Sequence, residues 1–169
     1  MVLNLDHIRG TERAIVTPLI GRDYLRHLVY LIDSCERSVW LTAFQAPGNV
    51  VRKGSKAARL FQSVTDAWER GCDVRVLVHM PRFNKKIFGT NKGFINALQD
   101  KGIPYRLLLM GETLHAKMFI LDAHMSVIGS HNFTDRALWT NYEASVVTAV
   151  YKSLFVNLWE RGTEGEQLP

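Results

Sequence analysis

Residues 114–134 read LHAKMFILDAHMSVIGSHNFT. Two apolar runs, Leu114–Leu121 and Ser126–Ser130, flank a polar break, a pattern that predicts an antiparallel hairpin. With Ala123-His124 as a two-residue turn, His115 faces Asn132 and Lys117 faces Ser130. Side chains alternate along a strand, so His115 and Lys117 share one face, and directly opposed residues point the same way. A single register thus gathers an imidazole, an ammonium, a hydroxyl and a carboxamide. His131 takes the opposite parity. Asp122 falls at the turn, roughly 20 Å from His115 at the rise of a strand, where it is expected to orient or cap the chain rather than meet a substrate.

Outward from the hairpin, apolar spacing predicts strands at 13–19, 38–44, 72–80, 103–110 and 142–150. It predicts helices at 21–36, 55–70, 90–101 and 152–161. Strands alternating with helices of 12–16 residues mean βαβ units. The run of strands from Ile103 to Ser130 adds antiparallel pairs, with Gly111-Glu112-Thr113 turning the chain back. The expected fold is a three-layer α/β/α sandwich with a mixed, mostly parallel sheet. One domain fills residues 1–169, with a core over about 11–160 and a frayed tail from 162 to 169. Ligand edges of such sheets lie at the C-terminal ends of the parallel strands, where His115 begins its strand and Gly129–Asn132 ends the return.

The 169 residues are 47% hydrophobic and 22% charged, which excludes disordered and low-complexity classes. The two cysteines, Cys35 and Cys72, form no CxxC pair and read as buried, idle thiols. Met1–Gly10 has no apolar leader and no run reaches the about 18 residues of a membrane helix. The expectation is a cytoplasmic protein without stable membrane insertion. The net charge of +5 permits a polyanionic partner.

His115-x-Lys117-x4-Asp122 followed by Gly129-Ser130-x-Asn132 resembles the HKD motif of the phospholipase D superfamily. Composition alone would produce H-x-K-x4-D in about one chain per hundred of this length, and the GSxN at the right distance makes coincidence remote. A chain of this size with one motif resembles the small bacterial nucleases of that superfamily rather than its two-motif lipases. The resemblance implies a metal-independent phosphodiesterase in which one histidine becomes covalently phosphorylated and a second moves the proton. Lys117 and Asn132 would hold the phosphoryl oxygens, and Ser130 would add a donor. The family mechanism uses two such histidines and this chain has one, so a twofold homodimer would supply the other. Glu143 matches the family's acidic residue after GSxN, which hydrogen-bonds the catalytic histidine. Gly129 and Asp122 belong to the motif's framework. His7, His27, His79, His124 and His131 offer no replacement for His115. No metal set with HExxH or CxxC spacing is present, and no cofactor is implied.

Charge points to the substrate. Residues 50–92 hold ten Lys or Arg and three acids, a net of +7, leaving −2 for the rest. Arg52, Lys53 and Lys56 form one cluster and Arg82, Lys85 and Lys86 another, both on predicted loops that leave the sheet at the edge of His115. Phe83 and Phe88 interleave the second; as individual residues they read as the anchoring aromatics of a solvated loop, with stacking on a base as the alternative. Nucleic acid is the expected substrate. A phospholipid phosphodiesterase, of the phospholipase D or cardiolipin hydrolase type, would use the same hairpin. A non-catalytic nucleic-acid-binding dimer would not need His115 or Lys117.

Overall fold

A computed structural model describes residues 16–81, 85–109, 113–149 and 152–164. The chain runs through β1 (Thr17–Ile20), α1 (Asp23–Asp33), β2 (Ser38–Ala43), α2 (Lys56–Glu69), β3 (Asp73–His79) and α3 (Lys85–Asp100). It continues through β4 (Tyr105–Leu108), β5 (Lys117–Leu121), β6 (Met125–Gly129), β7 (Ala144–Ala149), α4 (Lys152–Arg161) and β8 (Thr163–Glu164). A 3-10 turn spans Gly48–Val51 and a π-helical turn Arg136–Thr140.

Two helix endings set the parallel core. Gly71 and Gly102 take φ values of 90° and 64°, a left-handed conformation that costs glycine little. After α2, Gly71 N–H reaches the Trp68 carbonyl at 2.9 Å and Cys72 N–H reaches Ala67 at 3.1 Å. After α3, Gly102 bonds Gln99 and Ile103 bonds Leu98, each at 3.0 Å. These paired bonds are Schellman endings. They turn each helix directly into the next strand, so β2, β3 and β4 lie side by side in parallel.

The sheet is mixed and single, ordered β1-β7-β6-β5-β2-β3-β4-β8. Its expected parallel majority is corrected: among the described residues only β2–β3 and β3–β4 are parallel, and the other five pairings are antiparallel. The physical reason is that the α-helical crossovers α2 and α3 carry the chain from β2 to β3 and from β3 to β4, while β5, β6 and β7 follow with no α-helix between them. Nor is β5 the neighbour of β4. It pairs with β2, with β3 and β2 lying between it and β4.

Alternation along the strands feeds two cores. Val39, Leu41, Val74, Val76 and Val78 pack with Leu28, Ile32, Leu60, Val64 and Leu98 of α1, α2 and α3. On the other face Leu77, Met118 and Ile120 pack with Phe155 of α4. Helices therefore cover both faces, three on one and one on the other. Cys35 and Cys72 are buried free thiols, and burial pushes Cys35 up to about 12.

Three boundaries move. The first strand begins at Thr17, and the earlier part of its predicted range, 13–15, lies outside the described residues. Helix α3 starts at Lys85 rather than Thr90, so Lys85 and Lys86 sit in a helical first turn and not on a loop. Within α3, Gly93 is needed: a Cβ on it would come within 2.6 Å of Gly48 Cα. The expected tail keeps order at its start, where Thr163–Glu164 pair with β4. Arg82, Phe83, Gly111 and Glu112 lie outside the described residues.

Candidate active site

The hairpin forms with a different register. Lys117 faces Gly129, and Leu121 faces Met125, so the expected pairs Lys117–Ser130 and His115–Asn132 are corrected by one residue. The turn holds three residues, Asp122, Ala123 and His124, with φ values of 50° and 58° at the first two. The Asp122 carboxylate accounts for this strained geometry. It accepts hydrogen bonds from the backbone amides of Glu36, Arg37 and Ser38 at 3.2, 2.8 and 3.0 Å, locking the turn to the start of β2. Asp122 is thus placed at the far end of the hairpin, bonded to backbone. Burial alone would raise its pKa, but these amides and the charge of His124 hold it below the usual carboxylate range.

β5–β6 pairing stops at Lys117 and Gly129; beyond it, side-chain bonds act together with backbone bonds from Ser130 N–H to the Ala144 carbonyl and from Phe133 N–H to the Gln45 carbonyl, each 3.0 Å. Thr42 extends the β2–β5 pairing: its hydroxyl donates to the Ala116 carbonyl at 2.8 Å and accepts from Met118 N–H at 3.1 Å. Gly129 leaves the room that Ser145 fills. A Cβ at Gly129 would stand 2.0 Å from Ser145 Oγ, and that hydroxyl shares a 2.8 Å hydrogen bond with His131 Nδ1. His131 lies flat on Tyr24, with ring centroids 3.7 Å apart. It therefore joins the site rather than pointing away, because strict alternation ends with the strand.

Lys117, His131 and Asn132 line one small cleft with Tyr24, Thr42 and Phe44. The Asn132 carboxamide Oδ1 is buried without a hydrogen-bond partner. Lys117 is 9% exposed, and its ammonium donates to the His115 carbonyl at 2.7 Å. Burial pushes its pKa down from the usual lysine value, while the nearby Glu143 charge opposes that shift. His115 is exposed and meets Phe44 edge-on at 4.6 Å between centroids. Phe44 also lies 4.8 Å from Lys117 Nζ and 5.3 Å from the ring of His79. One aromatic ring is the floor under both motif side chains.

Ser130 and Glu143 complete the cluster. The Ser130 hydroxyl donates to the Glu143 carboxylate and accepts from Ala144 N–H at 3.1 Å. Asn141 Nδ2 donates to the other carboxylate oxygen at 3.0 Å. Burial would raise Glu143, but these two donors and the charges of His131 and Lys117 bring it below its ordinary value. Within one chain, then, Glu143 is engaged by Ser130 and Asn141 rather than by His115.

Several participants escaped the sequence reading. His79, set aside as outside the motif, accepts Leu114 N–H on its Nδ1 at 3.4 Å and anchors the residue before His115. Burial and the charge of His115 lower its pKa. Asn91 is buried and ties the strand ends together. Its Nδ2 donates to the carbonyls of Phe44 and His79 at 2.9 and 2.7 Å, and its Oδ1 accepts Ala46 N–H at 2.9 Å. Phe44 had one legible signal, its place at the C-terminal end of a parallel strand; Asn91 had none, being a single polar letter in a helix. Of the basic residues, Arg52 and Lys53 are exposed in the loop after β2, Lys56 opens α2 against Trp139, and Lys86 is exposed on α3. Among the described residues no three His, Cys, Asp or Glu side chains converge as a metal site. No described helix is long and apolar enough to cross a membrane.

A family model described as "Cardiolipin synthase, PLD-like domain" matches residues 28–159. Cardiolipin synthase 2 of Bacillus cereus is 25% identical over 142 residues, covering 83% of this chain and 26% of that protein. Cardiolipin synthase A of Yersinia pseudotuberculosis is 27% identical over 88 residues, covering 52% of this chain and 18% of that protein. The chain thus spans about a quarter or less of these curated relatives. Among solved structures, the phospholipase D family member Nuc from Salmonella typhimurium superposes with a TM-score of 0.68. It is 22% identical, with 89% of this chain and 98% of that one covered. NucT from Helicobacter pylori gives 0.67 at 18% identity, covering 90% and 99%. At those identities the likeness is one of fold.

Proposed function

This chain belongs to the phospholipase D-like domain family, and from that premise we propose that it cleaves nucleic acid through a phosphohistidine intermediate shared across a homodimer. Phosphodiester chemistry is the superfamily's common ground; the substrate, the dimer and the residue roles are our reading. The observation that carries it is a coincidence of place. β5 runs antiparallel to β2, so His115 and Lys117 emerge at the edge where the basic loop after β2 begins.

In this reading an imidazole nitrogen of His115 attacks phosphorus in line, and the bond to the leaving oxygen breaks. The partner's His115 protonates that oxygen. Water then attacks the phosphohistidine as the same partner imidazole takes its proton, and a phosphomonoester departs with His115 restored. Lys117 and the carboxamide of Asn132 stabilise charge on the nonbridging oxygens. Exposure of His115 leaves it free to meet its mate across a dyad. In this reading the Glu143 carboxylate, which accepts from Ser130 and Asn141, favours an imidazolium across the dimer. No step calls on a metal or cofactor.

A second reading, a phospholipid phosphodiester as substrate, is favoured by the cardiolipin synthases among the relatives. Incubation with single- and double-stranded DNA, RNA and anionic phospholipid vesicles in excess EDTA separates the two. Nucleic-acid cleavage is expected; lipid turnover without it would replace our choice, and inertness towards all would leave the non-catalytic binder.

A further inference from the structure

Trp139, in the π-helical turn between Asn132 and Glu143, holds two cations, one from the start of α1 and one from the start of α2. Lys56 Nζ lies 4.0 Å from the indole centroid and Arg22 Cζ 5.0 Å. The indole is 39% exposed. Both cations are carried by backbone tied to the segment of Asn132 and Glu143. Asp135, which precedes the π-helical turn, accepts from Ser55 Oγ at 2.7 Å and from Ala57 N–H at 2.8 Å, on either side of Lys56. Gly21, which precedes Arg22, donates its N–H to the Glu143 carbonyl at 3.1 Å.

Several of the fold's other cations are neutralised. Arg26, Arg59, Arg75 and Arg106 each pair with a carboxylate. Among the described residues neither Arg22 nor Lys56 forms an ion pair. Two cations held near one ring concentrate positive charge without an acidic partner, and an anion bound there would neutralise it. Because the cations occupy the indole, the ring serves to fix them rather than to stack on a base.

We propose that Arg22, Lys56 and Trp139 form a second phosphate subsite, which grips the backbone of a nucleic acid beside the phosphodiester being cleaved. The proposal rests on the nuclease reading above and deepens it. A substrate with several phosphates engages the subsite.

The test uses the full chain carrying His115→Ala, in EDTA, so that binding is read without turnover. Anisotropy of a fluorescein-labelled dT12 is measured across a salt series. Arg22→Gln is expected to weaken binding about tenfold and to lower the slope of log K against log salt by about 0.7, the value of one phosphate contact on a single strand. Trp139→Leu, which releases both cations, is expected to act in the same direction. Arg22 is exposed, so its variant carries the test if Trp139→Leu fails to fold. Unchanged affinity and slope in Arg22→Gln overturn the proposal, as does failure of the parent to bind dT12. Loss of binding to phosphatidylglycerol vesicles, with dT12 binding intact, would assign the subsite to lipid and overturn it too. A protein that grips dT12 through Arg22 yet hydrolyses no phosphodiester sinks the enzymatic reading alone. A nuclease indifferent to Arg22 sinks only the subsite.

Discussion

Lys117 lies directly across the hairpin from Gly129, and the absent side chain there is what lets the site close. Ser145 fills the vacant volume, and a Cβ at Gly129 would also come within 2.4 Å of the Ala144 carbonyl and the Ser145 Cα. Backbone cannot yield as a flexible side chain does. Gly129→Ala is therefore expected to destabilise the fold by about 3 kcal/mol, the upper range of overpacking. Urea unfolding reads this directly, and an unmoved midpoint would contradict the close approach.

Loss of His115 should be a loss of chemistry and not of structure. Its ring is exposed, so His115→Ala is expected to keep the wild-type unfolding midpoint while turnover falls by about three orders of magnitude or more. Chiral phosphorothioate substrates should emerge with retained configuration, because two in-line displacements each invert. Net inversion would mean that water attacks phosphorus directly.

The alkaline side of the activity profile should report Lys117. Burial lowers its pKa and the Glu143 charge partly restores it. The ammonium is accordingly lost at lower pH than for an ordinary lysine, and activity falls with it. Glu143→Gln removes the restoring charge, so the Lys117 titration, followed by NMR at Nζ, is expected to move further down. An upward or absent shift would deny the coupling. In stability the sign is opposite: between the lowered folded value and the unfolded one the unfolded chain binds more protons, so stability rises with pH there.

Asp122 should matter to stability rather than to turnover. Its carboxylate serves three backbone amides, and Asp122→Ala is expected to cost about 2 kcal/mol at neutral pH, as charged hydrogen bonds do. Its folded pKa is depressed, so that contribution is present above the unfolded value and vanishes as pH falls through the folded one. Urea midpoints of variant and wild type should therefore converge in acid. A gap that persists at low pH would place the effect elsewhere than in the charge.

Much of this arrangement is local and was open to reading. The helix at 152–161 matches α4 residue for residue, because its apolar spacing and its ends lie within the segment. The parallel core was legible for a similar reason: Gly71 and Gly102 announce helix ends wherever the chain goes next. The H-x-K and GSxN letters carry the resemblance to the family, which the matching family model bears out.

The hairpin register was not legible. Whether Asp122 belongs to the turn depends on three amides more than eighty residues away in sequence, whose bonds hold a left-handed backbone open. Separation in sequence also hides Asn91, which joins the ends of β2 and β3 through partners 12 to 47 residues away, and Ser145, which occupies the space of Gly129. Composition and spacing declare which groups are available and which short segments are helix or strand, because those preferences act between near neighbours. Strand order, the one-residue shift of the hairpin, the end of strict alternation that admits His131 to the cleft, and the aromatic floor of Phe44 arise from packing and hydrogen bonds between remote segments. Such contacts exist only once the chain has folded.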